Sequence, residues 1–474
     1  MTNAERVLAK HRVSTCIWSF VLRISSFFRH WVFRHSSLHT RRGVPKWRCS
    51  IRGGLDLREH DTNLKNALGR RKFLAQSAGS VALAATNILV GPRTAGAAQA
   101  RTRTTGMKLA MAVSYDDEVQ TSQQQGQQLI DRMFGQLRDA GFHAVLWRSM
   151  RGGQAMFKSS EYKISYPTNL AEFDPLAAAK EKARELGLEF FVWHEVKGAE
   201  AHGWLLHSAF VKEHPELLST NRMKMTSKSE LSWAAPEVMR RRVATFKEVL
   251  DYEPDAIWLD HIKGGDVSVP NFDADGYYAM GYDKQMVTAF QTKTGRDPWK
   301  IPNQDPAWLA FRASYMTEYM RRIRQAQQQS HPQVKLGSLA ASIGYTHSCW
   351  YLPLRDLNDP NIRKTARLAS PLANLEDHDT WTGEGLIDGL CAPFNTFADA
   401  EELKTILPDA RSHIQGPCTF AVCLGMVKSP QAVLDCARVA YDHDADFLFV
   451  RESYDIRDKP DVWDAFHQVS RMYN

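Results

Sequence analysis

Three acidic residues stand where apolar runs end, and each is placed for chemistry. The run Ala256-Ile257-Trp258-Leu259 stops at Asp260-His261, with Lys263, Gly264 and Gly265 close behind. Glu195 closes the run that begins at residue 189, directly after Trp193 and His194. Glu452 follows Arg451 at the end of a run over 447–450. A strand apolar on both faces belongs to a parallel sheet covered by helices. In such sheets ligands meet the carboxyl ends of the strands. A carboxylate there is a candidate for chemistry, and the glycine pair behind Asp260 suits a loop bending around a ligand. The competing assignment is an aspartate that caps a turn or pairs with Lys263.

The elements that must position these residues alternate along the chain. Short apolar strands are predicted over 108–113, 144–147, 189–192, 256–259, 334–339, 389–394, 413–415 and 447–450. Between them lie helical patterns, the clearest over 127–140, with Leu129, Ile130, Met133, Phe134 and Leu137 at helical spacing and Gly141 at its end. Asp174-Pro175 opens a helix to residue 185. Another is expected over 236–250, with Ser232 as its cap. Further helices are expected over 284–294, 308–329 and 431–442. Glu376-Asp377-His378-Asp379 reads as a helix start rather than a metal cluster, because consecutive acidic residues cannot all face one ion. Asn395 ends the sixth strand. The second strand exits into Arg148-Ser149-Met150-Arg151-Gly152-Gly153, which suits a polar ligand as well as a solvated loop. His194 and Glu195 alternate in direction, so one of the two faces the site.

Eight strand–helix units from residue 107 to 474 predict an α/β fold, a (β/α)8 TIM barrel with enlarged βα loops. A doubly wound open sheet is the alternative, but no G-x-G-x-x-G follows the first strand and no P-loop pattern occurs.

The formal charge of +7 does not indicate a nucleic-acid partner. Residues 1–100 hold 17 Lys+Arg against 4 Asp+Glu, leaving 43 basic and 49 acidic residues in the body. Within that leader, Arg70-Arg71 precede an apolar small-residue run, and Ala98-Gln99-Ala100 offers a cleavage site. This pattern predicts a twin-arginine signal over 66–100, cleaved after Ala100, and hence the twin-arginine export machinery as a partner and a periplasmic or secreted product. Residues 1–65 are read as a non-native or disordered extension, and the leader as unstructured or helical. The segment 16–33 carries Arg23, Arg29 and His30, each charge costing about 2.5–3.5 kcal/mol at a membrane centre, so no stable span is expected in the mature protein. The five body cysteines, Cys349, Cys391, Cys418, Cys423 and Cys436, lack C-x-x-C spacing and indicate neither a disulfide framework nor zinc.

Several runs, in this order, resemble a family of bacterial glycosyl-hydrolase-like barrels related to glycoside hydrolase family ten. They are GFHAVLWRSMRGGQAMFKS from Gly141, DPLAAAKEKARELGLEFFVW from Asp174, HPELL from His214, SWAAPEVMRRRVATFKEVLDYEPDAIWLDHIK from Ser232, and DHDTWTGEGLIDGLCAP from Asp377. The resemblance extends from Met107 to the C-terminus and implies a carbohydrate substrate and glycoside cleavage. That reaction needs two carboxyl groups, about 5–5.5 Å apart for retention or about 6.5–9.5 Å for inversion. Asp260 is then the nucleophile or base, and Glu195 or Glu452 the general acid. Arg148, Trp193, His194, His261, Lys263, Asn395 and Arg451 are the expected substrate contacts, with Arg151 in reserve. Trp193, Trp204, Trp233 and Tyr115 offer faces for sugars, against core packing as the competing role. No cofactor and no resident metal is called for. The alternatives are a non-catalytic sugar-binding barrel and a metal-dependent hydrolase of another class.

Overall fold

The apolar runs pair side by side and in parallel in the computed structural model. Described are residues 106–473 apart from 122–123, 152–153, 163–172, 197–208, 265–271, 274–275, 278–279, 341–374, 393–395, 398, 426 and 428. Arg70, Arg71, Ala100, Trp204, Cys349 and Asn395 therefore lie outside the described residues. The strands are β1 (Lys108–Val113), β2 (Ala144–Arg148), β3 (Glu189–Glu195), β4 (Ala256–Asp260), β5 (Lys335–Leu339), β6 (Gly389–Cys391), β7 (Thr419–Gly425) and β8 (Phe447–Arg451). They neighbour one another in chain order from β1 to β6, β6 pairs with β7, β7 with β8, and β8 returns to β1. This is a closed (β/α)8 barrel. Each unit carries a helix outside the ring: α1 (Gln127–Asp139), α2 (Pro175–Glu185), α3 (Pro236–Leu250), α4 (Pro306–Ser330), α5 (His378–Gly383), α6 (Ala400–Ser412), α7 (Pro430–Asp442) and α8 (Pro460–Tyr473). Among the described residues no helix is long and apolar enough to cross a membrane.

Two of the sequence expectations need correction. The seventh strand is Thr419–Gly425, not 413–415. His413 is the C-cap of α6, so that short apolar-flanked stretch is the tail of a helix. Ser232 does not cap α3, whose N-cap is Ala235; its hydroxyl donates instead to Asp283 Oδ1 at 2.6 Å. By contrast Asp174 caps α2 as expected, accepting from the Leu176 and Ala177 amides, and Asp377 caps α5.

Side chains alternate along each strand, and closure turns one set toward the axis. Ala110, Ala112, Ala144, Leu146, Phe191, Trp193, Trp258, Cys391, Cys423 and Phe449 pack together inside the ring, while the other set packs beneath the helices. Trp258 dominates the interior and meets Phe449 edge-on, ring centres 4.8 Å apart. Its bulk is accommodated because β5 and β6 present glycines. A Cβ on Gly337 would lie 2.2 Å from the indole, and one on Gly389 2.7 Å. Gly337→Ala should accordingly lower stability by about 1–3 kcal/mol, the usual cost of overpacking. Urea unfolding checks this, and an unchanged midpoint would contradict the packing.

Candidate active site

One step further toward the carboxyl ends, the same alternation delivers polar side chains. Ser114 follows Ala112 in phase, Arg148 follows Leu146, Glu195 follows Trp193, Asp260 follows Trp258, and Arg451 follows Phe449. Ser114, Arg148, Glu195 and Asp260 are buried. Charges in such a layer are tolerated only when hydrogen-bonded and paired, and these are. Arg148 Nη2 donates to Glu195 Oε1 in a buried ion pair. Arg148 Nη1 donates to Ser114 Oγ at 3.3 Å, and Ser114 Oγ donates to Glu452 Oε2 at 2.7 Å. Arg451 Nε donates to Glu452 Oε1 at 2.8 Å. Glu195, Arg148, Ser114, Glu452 and Arg451 thus form one hydrogen-bonded chain contributed by the ends of four adjacent strands.

Asp260 is held differently. Its Oδ2 accepts from Trp193 Nε1 at 3.0 Å, and its Oδ1 from the His261 amide at 2.6 Å. Its direct partner on β3 in register is Glu195. The His261 backbone is left-handed, at φ 62, a conformation that costs a non-glycine residue roughly 1–3 kcal/mol. The imidazole comes to 3.8 Å of Asp260 Oδ2 and is 18 % exposed. Glu195, Asp260 and His261 each bring one ligand-type atom within 4.8 Å of the others, so this trio could hold a cation. Glu195 Oε2 is buried and has no hydrogen-bond partner among the described residues.

Several charged side chains next to this layer are partly exposed. Arg451 is 25 % exposed, and Arg151 and Asp117 are similarly open. Arg151 Nη1 donates to Asp116 Oδ2 at 3.0 Å and to Asp117 Oδ2 at 2.5 Å. Burial and the adjacent Asp116 carboxylate push the Asp117 carboxyl up to about 6, against the pull of Arg151. For Glu452, burial acts upward, but the charges of Arg451 and Arg148 and the Ser114 hydrogen bond outweigh it and hold the carboxyl below its ordinary range.

The other expected site residues divide. His194 has the opposite phase and lies among the outer packing, its Nδ1 3.2 Å from Ser149 Oγ and its ring 6.5 Å from Phe246 of α3. Burial pushes it down to about 3, so it is a neutral packing residue and not a substrate contact. Lys263 is buried close behind Asp260. Trp193 is fully buried, and Tyr115 and Trp233 are also buried; none presents a face for a sugar. Tyr115 packs on Trp147 and accepts from the Gly126 amide, and Trp233 lies under Arg242. Sequence reasoning missed Ser114, Asp116 and Asp117 as members of this rim, although the stretch Ser114-Tyr115-Asp116-Asp117 directly follows the first strand.

Two outcomes test these electrostatics. Arg148→Met should destabilise the protein by about 3–5 kcal/mol, because Glu195 is left buried without its counter-charge, and adding Glu195→Met should recover much of the loss. Equal unfolding midpoints for the single and double variants would contradict the pairing. Asp117 titrates higher when folded than its ordinary 3.8. Its favourable contribution is therefore complete below about pH 4 and lost as pH rises through about 6. Asp117→Asn should flatten that fall in stability between pH 4 and 7 by on the order of 2 kcal/mol. Urea midpoints across that range check it, and parallel curves for the two proteins would contradict it.

The family described as glycosyl hydrolase-like 10 matches residues 109–396, more than half of the chain. None of the curated proteins matches in sequence. Among solved structures, the chain is similar to the catalytic domain of a β-amylase from Paenibacillus polymyxa, with a TM-score of 0.52 at 10 % identity over 78 % of this chain and 99 % of that one. It is similar also to the PgaB (BpsB) glycoside hydrolase domain from Bordetella bronchiseptica, with a TM-score of 0.52 at 11 % identity over 77 % and 99 %. A β-galactosidase from the psychrophilic Marinomonas ef1 gives a TM-score of 0.51 at 10 % identity over 77 % and 59 %. At such identities the likeness is one of fold. The extent of the family match, on a closed barrel with an acidic layer at its carboxyl rim, places the chain in the glycosyl hydrolase-like 10 family.

Proposed function

We propose that this protein hydrolyses a glycosidic bond in an oligo- or polysaccharide, with Asp260 as nucleophile or base and Glu195 as its partner carboxyl. The observation that carries this reading is the inward pairing of the two residues on adjacent strands, with ligand-type atoms within 4.8 Å. That bound lies below the roughly 6.5–9.5 Å that leaves room for an inverting water, which favours the shorter spacing of retaining enzymes. Glu195 Oε2, which has no hydrogen-bond partner among the described residues, can accept from a sugar hydroxyl or, when protonated, donate to the glycosidic oxygen. His261 and Arg451 stand at the opening, where they can reach hydroxyls, with Lys263 behind them; Asn395 is kept in this role on sequence grounds. The twin-arginine pattern around Arg70 and Arg71 supports action outside the cytoplasm.

A second reading is favoured by a specific observation. Both glutamates are already matched by arginines, which suits a barrel that binds sugars without cleaving them. The two readings separate in a reducing-end assay over a polysaccharide panel. On the substrate that turns over, Asp260→Asn should lower kcat by about 10³-fold or more, the scale of removing a catalytic carboxyl, and the product should emerge with retained anomeric configuration. Undiminished turnover by Asp260→Asn would remove Asp260 from the reaction. Saturable binding with no turnover would establish the binding barrel.

A further inference from the structure

A tryptophan at a strand end of a carbohydrate-active barrel invites the role of sugar platform. The geometry assigns Trp193 another. We propose that Trp193 is a positioning residue, whose indole N–H fixes the direction of the Asp260 carboxylate and whose ring spaces the two arginines that grip Glu195 and Glu452. The inference rests on the reading of Asp260 as the reacting carboxylate.

Three observations carry it. First, Trp193 is fully buried, so no sugar can lie on it. Its inward phase on β3 sets it one layer below Glu195, beside Trp258 in register. Second, its Nε1 donates to Asp260 Oδ2 at 3.0 Å. Indole is a donor only, so the contact is satisfied by an acceptor oxygen and turns the carboxylate one way round. With Oδ1 taken by the His261 amide at 2.6 Å, both oxygens of Asp260 are fixed in direction by neutral donors. Third, the guanidinium of Arg148 lies over the Trp193 ring at 4.3 Å from its centre, and that of Arg451 at 5.1 Å. Those two arginines hold Glu195 and Glu452. One aromatic ring therefore touches the supports of all three candidate carboxylates. Cation–π contact gives each arginine an attractive seat on the ring.

Phenylalanine keeps most of the ring and loses the N–H. A misplacement of about 1 Å at a reacting group can cost on the order of 10²-fold in rate. In the full chain, Trp193→Phe should thus lower kcat by about 10–100-fold with KM changed less than about twofold. A higher KM with kcat retained would mark a sugar platform and overturn the proposal. A second arm needs no turnover. Of the 13 tryptophans, one indole N–H resonance in the ¹⁵N-labelled full chain should move in both Asp260→Asn and Asp260→Ala, and the same resonance should be missing from Trp193→Phe. If no indole signal responds to Asp260, the contact is absent and the proposal fails, whatever the activity. If the indole signal responds but no polysaccharide is cleaved, Trp193 orients Asp260 as stated and the hydrolytic reading is what falls.

Discussion

Closing eight parallel strands into a ring forces every second side chain toward a common axis, and everything about the candidate site depends on that constraint. The interior must be filled, which Trp258 does at the expense of side chains on Gly337 and Gly389. One layer higher the same phase brings Ser114, Arg148, Glu195, Asp260 and Arg451 inward. Ser114, Arg148, Glu195 and Asp260 are buried there, so their polar groups are satisfied mainly by protein partners. The run of alternating acid and base from Glu195 through Arg148, Ser114 and Glu452 to Arg451 is the consequence.

That requirement sorts the carboxylates into kinds. Glu195 and Glu452 are matched by guanidinium groups, and for Glu452 these hold the carboxyl below its ordinary range. Asp260 is held by an indole and a backbone amide, which orient it, and the Arg451 charge also acts on it. Asp117 stands at the rim, where burial and Asp116 favour its protonated form up to about pH 6. A layer holding acids of such different surroundings suits acid–base chemistry, and Arg451, His261 and Arg151 beside it are partly exposed.

Much of this was legible in the sequence because apolar strands that are buried on both faces carry a strong signal. Seven of the barrel strands coincide with expected runs, and Asp260, Glu195, Arg148 and Arg451 were picked out simply as polar residues at their ends. The seventh strand was misplaced because 413–415 continues past a helix that already ends at Ser412, whereas the true strand, TFAVCLG, follows a loop. The phase of individual residues at strand ends was less legible. The alternation rule says that His194 and Glu195 point apart, but only the ring says which points in. Aromatics were hardest, since Trp193, Trp233 and Tyr115 have the same composition signal whether they face a ligand or the core. Ser114 and Asp117 escaped notice because their significance lies in contacts with Glu452 and Arg151 across hundreds or tens of residues of chain.

Where a sugar lies relative to this layer decides between hydrolysis at the rim and any other use of the barrel. A crystal structure of Asp260→Asn with a bound oligosaccharide measures that directly. Hydrolysis at this layer requires a glycosidic oxygen over the carboxyl rim of the barrel, within hydrogen-bonding reach of Glu195 and next to position 260, with Arg451 and His261 against the sugar hydroxyls. A sugar bound at the opposite rim, or on the outer face of the helices with the acidic layer untouched, would contradict it.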